Sequence, residues 1–383
     1  MSSYAGNGFD LIFGGFYNDF SFERVPNGSQ PFVFGATGEA DRIGFSVCRL
    51  NGTPCVRAPV FTRELASNRT ISGFVDATFA VADNIDIFGG LRYDDFKNRT
   101  QIGLNTLTPT QSFTITDNAV SGRIGASYQP SSNSNLYASY ARGYKPPAVG
   151  TNPLGILFEL EAEKSDAFEI GAKMDMNGIQ LAANAFYNKL KNFQGQANVA
   201  DPASGQIIST PLNYDEVVSK GLEFTAFGNL SRSLSFNFGY QFNIVKYPDN
   251  FLGDDGQDIG GRQFLLAPKH KITLSGEYKQ PISSNLEAFF NGNVIYKSAV
   301  LMTSRADPRY VYPGHEIINV GMGIRDQDGR WNASIYVRNL TKEREPLGLL
   351  PTAFAGQLDG GISSRPVGGL TARVVGVRAG FAF

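Results

Sequence analysis

The chain has 383 residues, with 43 Gly, 30 Phe and 16 Tyr, and only 18% are charged. A formal net charge of −1 excludes the basic excess that a nucleic-acid-binding protein carries, so no nucleic-acid partner is expected. No apolar run is long enough for a membrane-crossing helix, which leaves open a chain that crosses with strands, because alternation hides apolar surface from such a scan.

The opening MSSYAGNGFD has neither a basic start nor an apolar run, so no signal peptide is expected. A first strand is predicted near 9–22. The long connection 25–66 follows and holds the two cysteines, Cys48 and Cys55, in CRLNGTPC. Gly52 and Pro54 suit a turn, so a small disulfide-closed loop in an oxidising compartment is preferred, with two separate thiols as the alternative. Zinc is not expected, because the chain's two histidines, His270 and His315, are distant in sequence.

Beyond this point apolar and polar residues alternate in segment after segment. Phe168, Ile170, Ala172 and Met174 alternate with Glu169, Gly171 and Lys173, and Phe236, Phe238, Tyr240 and Phe242 with Asn237, Gly239 and Gln241. Ile272 and Leu274 alternate with Lys271 and Thr273; Phe290, Gly292, Val294 and Tyr296 with Asn291 and Asn293; Trp331, Ala333, Ile335 and Val337 with Asn332, Ser334, Tyr336 and Arg338. The last strand, 371–383, repeats the pattern and ends on Phe383. Period two means one apolar and one polar face.

The connections alternate too. Short turns at ADN, 130–135, 176–178, 229–233, 281–285 and 325–329 intercalate with long Gly/Pro-rich segments at 25–66, 97–116, 144–163, 193–213, 247–267, 298–314 and 342–368. Short on one side and long on the other is the layout of an antiparallel up-and-down transmembrane β-barrel, here with about fourteen strands. The polar face carries Arg92, Arg123, Glu169, Lys173, Glu223, Lys271, Glu277, Arg338 and Arg378. Tyr93, Tyr128, Tyr187, Tyr240, Tyr278, Tyr296, Trp331 and Phe383 sit on apolar faces near strand ends, where interfacial girdles belong. The apolar face is therefore predicted to meet lipid.

Several segments, in order, carry a resemblance: SYARGYKPP (139–147), EKSDAFEIGAK (163–173), NAFYNKLKNFQ (184–194), SKGLEF (219–224), PKHKITLSGEY (268–278), YVRNLTKE (336–343) and the Phe-terminated last strand. Together they resemble the C-terminal part of the β-barrel of TonB-dependent outer-membrane receptors, over about 135–383. As barrel parts they make sense: Pro146 and Pro147 stop a strand, Gly221 permits close backbone approach, and Asn339 can close a turn. The resemblance implies a bacterial outer-membrane location and energised uptake of a scarce solute, with a ferric siderophore or similar iron complex the commonest expectation. It also implies a TonB complex acting through an N-terminal plug. No plug domain, no TonB box and no signal sequence are expected within these 383 residues. Residues 1–383 are expected to form a single partial barrel domain, part of a complete barrel of about twenty-two strands. Alternatives are a self-contained passive outer-membrane channel and a soluble β-rich binding protein.

No catalytic constellation assembles, so no enzyme activity is expected. His270 at a strand start reads as structural, and His315 in PGHEI, which follows a loop, reads as interface packing with ligand contact as the alternative. FLGDDGQDIGG (251–261), with Asp254, Asp255 and Asp258, lacks the EF-hand layout and reads as a solvated loop. No metal and no cofactor are expected. Ligand contacts are expected on the long loops, at Tyr144, Lys145, Phe158, Tyr247, Phe251, Arg262, Arg305, Arg309, Tyr310 and Tyr312. These cations and rings suit an anionic, ring-bearing ligand, because guanidinium pairs with oxyanions and rings stack.

Overall fold

The computed structural model describes residues 2–6, 8–24, 45–47, 56–58, 62–104, 110–151, 156–200, 207–253, 256–351, 362–366 and 372–382. They form one antiparallel sheet of fifteen strands in which every strand pairs with its sequence neighbour, without crossovers. The strands are β1 (Ser2–Gly6), β2 (Phe9–Arg24), β3 (Thr62–Ala82), β4 (Ile85–Leu104), β5 (Gln111–Ser131), β6 (Ser134–Lys145), β7 (Glu163–Met176) and β8 (Ile179–Ala200). They continue as β9 (Ile207–Ser231), β10 (Leu234–Lys246), β11 (His270–Pro281), β12 (Leu286–Lys297), β13 (His315–Asp326), β14 (Trp331–Arg338) and β15 (Val374–Phe381). The strands from β2 onward are the expected up-and-down array, and β1 is a short addition at its start.

The turn side is built from residues that tolerate left-handed backbone. Asn177 and Gly178 have φ 54° and 83°, the pair of positive angles that a two-residue hairpin matching strand twist requires. Asp175 Oδ1 accepts the Gly178 N–H at 3.0 Å and fixes this turn. On the other side, Pro146 and Pro147 end β6, and Asn339 ends β14. Asn339 adopts φ 52°; its side chain accepts the Glu343 N–H and donates to the Glu343 carbonyl, both at 2.8 Å.

The expected loop boundaries need correction. The 97–116 connection shrinks to 105–110, because Lys97–Ile102 pair with Gln111–Thr116. The 193–213 connection shrinks to 201–206, because β8 and β9 stay paired from Ile179 to Ala200. β9 has 25 residues, whereas about ten suffice to cross a bilayer. Ladder hydrogen bonds are made by the backbone, so polar residues extend a strand wherever a partner is present.

The apolar residues lie on one exposed face: Val375, Val377 and Phe381 are 72%, 78% and 72% exposed, and Leu91, Ile124, Ile170, Leu222, Ile335 and Met322 are likewise exposed. A water-soluble sheet would bury them; a lipid-facing wall presents them. Smaller antiparallel ribbons decorate the long-loop side, at 148–151 with 157–160, 300–301 with 311–312, and 346–351 with 362–366. A further ribbon, Phe45–Val47 with Val56–Ala58, brackets the segment holding Cys48 and Cys55, which lie outside the described residues, as do Asp254, Asp255 and Phe383.

Candidate ligand site on the polar face and outer loops

The polar face is a lattice of paired charges and flat rings. Asp94 accepts from Ser72 Oγ at 2.5 Å and from Arg92 at 2.8 Å. Arg123 bonds Asp76 at 2.9 Å, Gln241 donates to Glu223 at 2.9 Å, and Arg325 bridges Glu277 and Glu287 at 2.8 and 2.6 Å. Tyr137 donates to Glu169. Rings lie across glycines on the next strand: Phe88 opposite Gly125, Tyr137 opposite Gly171, Phe186 opposite Gly221, Phe289 opposite Gly323 and Tyr336 opposite Gly376. Cations cap several of these rings, Lys173 over Tyr137 at 5.5 Å and Arg325 over Phe289 at 5.0 Å among them. A glycine removes the side chain that would hold the ring off the wall, so ring and backbone meet face to face.

At the C-terminal end of the sheet, Arg338 and Arg378 flank Tyr336 at 5.3 and 5.9 Å. They border a cleft of about 520 Å³ shared with Asn237, Asn291, Asn293 and Asn319. Asn319 accepts a hydrogen bond from the Asn339 backbone at 2.8 Å and donates to Asn293 at 2.6 Å, which anchors the loop after β14 to the polar face.

The outer loops gather the expected ligand residues into three groups. In the first, Tyr247 is buried and stacks on Phe251 and Phe264 at 4.8 and 4.5 Å, and Tyr214 and Phe193 complete the cluster. Ile259, fully buried, seals it with Leu301. Arg262 donates to the Ala306 carbonyl at 2.7 Å and ties this cluster to the next loop.

In the second group, Tyr310 is buried under Arg305, whose guanidinium is 5.4 Å from the ring, while Arg309 pairs with Asp307. That pairing holds the Asp307 carboxyl below its ordinary value and raises Arg309. Tyr312 donates to Glu343; burial and that carboxylate push the phenol above its usual range. Beside it Glu345 receives Lys297 Nζ at 2.8 and 3.0 Å. His315 Nε2 lies 3.3 Å from Glu345 without hydrogen-bond geometry, and His315 Nδ1 sits 3.1 Å from the Pro313 carbonyl. Burial raises the Glu345 carboxyl, but the Lys297 and His315 contacts outweigh it and hold it below the usual carboxylate range.

In the third group, Tyr144 donates to Asp117 at 2.9 Å, Lys145 reaches Glu163 at 3.4 Å, and Phe158 is half-buried on its ribbon. Here the sequence reading missed Gln194 and Asn213. Gln194 Nε2 donates to the Pro146 and Glu161 carbonyls, each at 2.9 Å, and Asn213 Nδ2 donates to the Glu161 and Asn192 carbonyls at 3.1 and 2.7 Å. These amides pin the loop after β6 to the β8–β9 wall; their only sequence signal was the position of Gln194 at the end of NAFYNKLKNFQ. Among the described residues no group of His, Cys, Asp and Glu is arranged to hold a metal ion. His270 meets Tyr240 Oη at 3.0 Å at the start of β11.

Residues 2–340 match the family model described as TonB dependent receptor-like, beta-barrel. An uncharacterized TonB-dependent receptor of Haemophilus influenzae is 27% identical over 228 residues, 59% of this chain and 61% of that protein. The pesticin receptor of Yersinia pestis is 30% identical over 294 residues, 72% of this chain and 39% of the receptor. Among solved structures, the ferric yersiniabactin uptake receptor FyuA from Yersinia pestis shares the fold with a TM-score of 0.73 at 17% identity, covering 98% of this chain and 51% of that one. The chain spans less than two thirds of the length of each of these three proteins.

Proposed function

The chain belongs to the TonB-dependent receptor-like β-barrel family, and from that premise we propose that it forms most of the barrel wall of a receptor taking up a ferric siderophore or similar iron complex. It is a wall of the Gram-negative outer membrane, with the apolar face outward, the polar face inward and the long loops outside the cell. One observation carries the reading: a nearly all-strand sheet presents exposed apolar side chains on one face, with its long connections on a single side. The solute class is supported by relatives named for pesticin and ferric yersiniabactin, and by the cations and rings on the loops. Arg262, Arg309 and Lys145, exposed, and Arg305, half-buried, are the loop cations that support an anionic chelate in this reading, each now engaged within the chain. The same reading places a plug segment outside this chain in the lumen, driven by an inner-membrane TonB complex, and takes residues 1–383 as one partial barrel domain.

The test is genetic. In cells that carry the gene, deleting it is expected to bring uptake of at least one radiolabelled ferric hydroxamate, catecholate or carboxylate to background, and dissipating the proton-motive force in the parent is expected to do the same. Undiminished uptake of the whole panel in the deletion strain would refute the reading.

A further inference from the structure

The outward face changes character along the sheet. On each strand about five outward residues above the turn are mainly apolar, a band one bilayer tall. The first charged outward residue above that band is Arg142 on β6, Asp166 on β7, Lys189 on β8, Lys220 on β9 and Lys246 on β10. One pleat further out, β7 and β8 add Lys164 and Lys191, which are direct cross-strand partners. The equivalent positions on β11 and β13 are His270 and Glu316.

Five adjacent strands, spanning about 20 Å at the usual strand spacing, thus carry six cations on their outward face. Two carboxylates share it: Glu216 pairs with Lys189, and Asp166 accepts Tyr140 Oη at 2.6 Å. Lys164, Lys191, Lys220 and Lys246 are exposed, and among the described residues none of them bonds a carboxylate. Like charges side by side repel, so a cluster of this kind is held most favourably against an anion.

Below five of the cations, and level with Lys220, which is the cross-strand partner of Tyr187, runs a row of rings, with Tyr140 and Phe168 at 4.8 Å and Phe168 and Tyr187 at 6.5 Å. Interfacial aromatics mark the level of lipid headgroups and glycerol. Below the rings lies a groove of about 790 Å³ in the outward face, lined by Ala126, Ala138, Ala172 and Ala185 and walled by Tyr128 and Leu222. Ala138 and Arg142 on β6, and Ala185 and Lys189 on β8, are each four residues apart, about 13 Å along the strand. Cation, ring and groove are therefore stacked along the membrane normal in the order phosphate, interface and acyl chain. The groove opens onto the bilayer core, where the occupant on offer is hydrocarbon.

We propose that the outward face of β6–β10 binds a phosphate-bearing lipid of the outer leaflet. Its headgroup lies on Lys164, Lys191, Lys220 and Lys246 with Arg142, and one acyl chain fills the alanine-floored groove. The lipid bound there fixes the height of the wall and shields the lysines from one another.

Native mass spectrometry of the full 383-residue chain in a non-ionic detergent tests this, with dimyristoyl phosphatidic acid, dimyristoyl phosphatidylcholine and inorganic phosphate as probes. Phosphatidic acid is expected to be retained about tenfold more than phosphatidylcholine. Replacing the four lysines with Gln is expected to abolish that preference, while replacing them with Arg, or changing the inward Lys271→Gln and Arg378→Gln, preserves it. Ala138→Phe with Ala185→Phe is expected to weaken retention of both lipids. If the fourfold Gln variant does not fold, Lys220→Gln alone and loss of the preference in high salt give the same reading. Equal retention of the two lipids by the unmodified chain, survival of the preference without the lysines, or displacement of phosphatidic acid by equimolar inorganic phosphate would each overturn the proposal.

Discussion

Glu345 is a single carboxylate joining three elements: the end of β12 through Lys297, the start of β13 beside His315, and the loop after β14 in which it resides. Its depressed titration gives a signed expectation. The ion pair contributes fully above the ordinary carboxylate value of about 4.3. The contribution is lost as pH falls through the lower folded value, so the loop loosens on the acid side only. Amide protection across 339–346, corrected for intrinsic exchange, is expected to be flat from neutral pH to that range and to drop below it. Glu345→Gln should impose the loose state at neutral pH at a cost of about 1 kcal/mol, roughly fivefold in exchange. Asn339 makes a sharper case in the same loop. Ala in its place would lose two hydrogen bonds to Glu343 and sit at a left-handed φ, about 2–3 kcal/mol together. Trypsin cleavage after Lys342 and Arg344 should speed up strongly in Asn339→Ala and less in Asn339→Gly, which keeps the backbone angle at ease. Equal rates in both variants would assign the turn to other contacts.

Between neighbouring strands the decisive positions are glycines facing backbone rather than side chain. A Cβ at Gly221 would collide with the Phe242 carbonyl oxygen, which cannot retreat without breaking the β9–β10 ladder. At Gly171 the added carbon would meet the tip of the Tyr137 ring, which can swing away. Gly221→Ala is therefore expected to destabilise by about 3 kcal/mol and Gly171→Ala by less than about 1. Urea unfolding in detergent separates the two, and a reversed order would mean the ring is the rigid part. The SKGLEF motif made Gly221 readable, because alternation assigned it to the polar face. Alternation also marked each hairpin, since outward apolar residues repeat regardless of what lies above the membrane. It did not mark strand ends: KNRTQIGL (97–104) has no two-residue rhythm, yet it pairs through its backbone with the start of β5. The loop candidates were legible as residue types but not as contacts. Tyr247 and Phe251 stand in an aperiodic stretch, and only the fold shows them stacked on Phe264 in a small core. The fully buried Ile259 is the other half of that core, and nothing in its Asp- and Gly-rich setting announces burial.

At the scale of the whole wall, the orientation of the sheet can be read from one native probe. Trp331 is the chain's sole tryptophan, on the outward face at the turn end of β14, directly opposite Phe381. In vesicles its fluorescence should be quenched by lipids brominated near the headgroup more than by lipids brominated at the chain terminus. Quenching by aqueous acrylamide alone would turn the wall inside out. The edges of the sheet decide a second matter, whether this chain closes on itself. β1 and β15 each have one neighbour among the described residues, and in an antiparallel array of fifteen strands they run in the same direction. Closing that seam would require a parallel pair of five residues against eight. Pairing β15 with β2 instead would displace β1 from Phe9–Phe13, the part of β2 next to the turn and hence within the membrane. An unclosed edge in hydrocarbon leaves backbone groups unpaired at several kcal/mol each, so neither solution is cheap. In planar bilayers the 383-residue chain alone is therefore expected to give no steady conductance of a single size, because neither pairing of its edge strands encloses a lumen without leaving backbone unpaired. Stable, uniform channels from this chain would show that it closes by itself, and would move the molecule from receptor wall to passive pore.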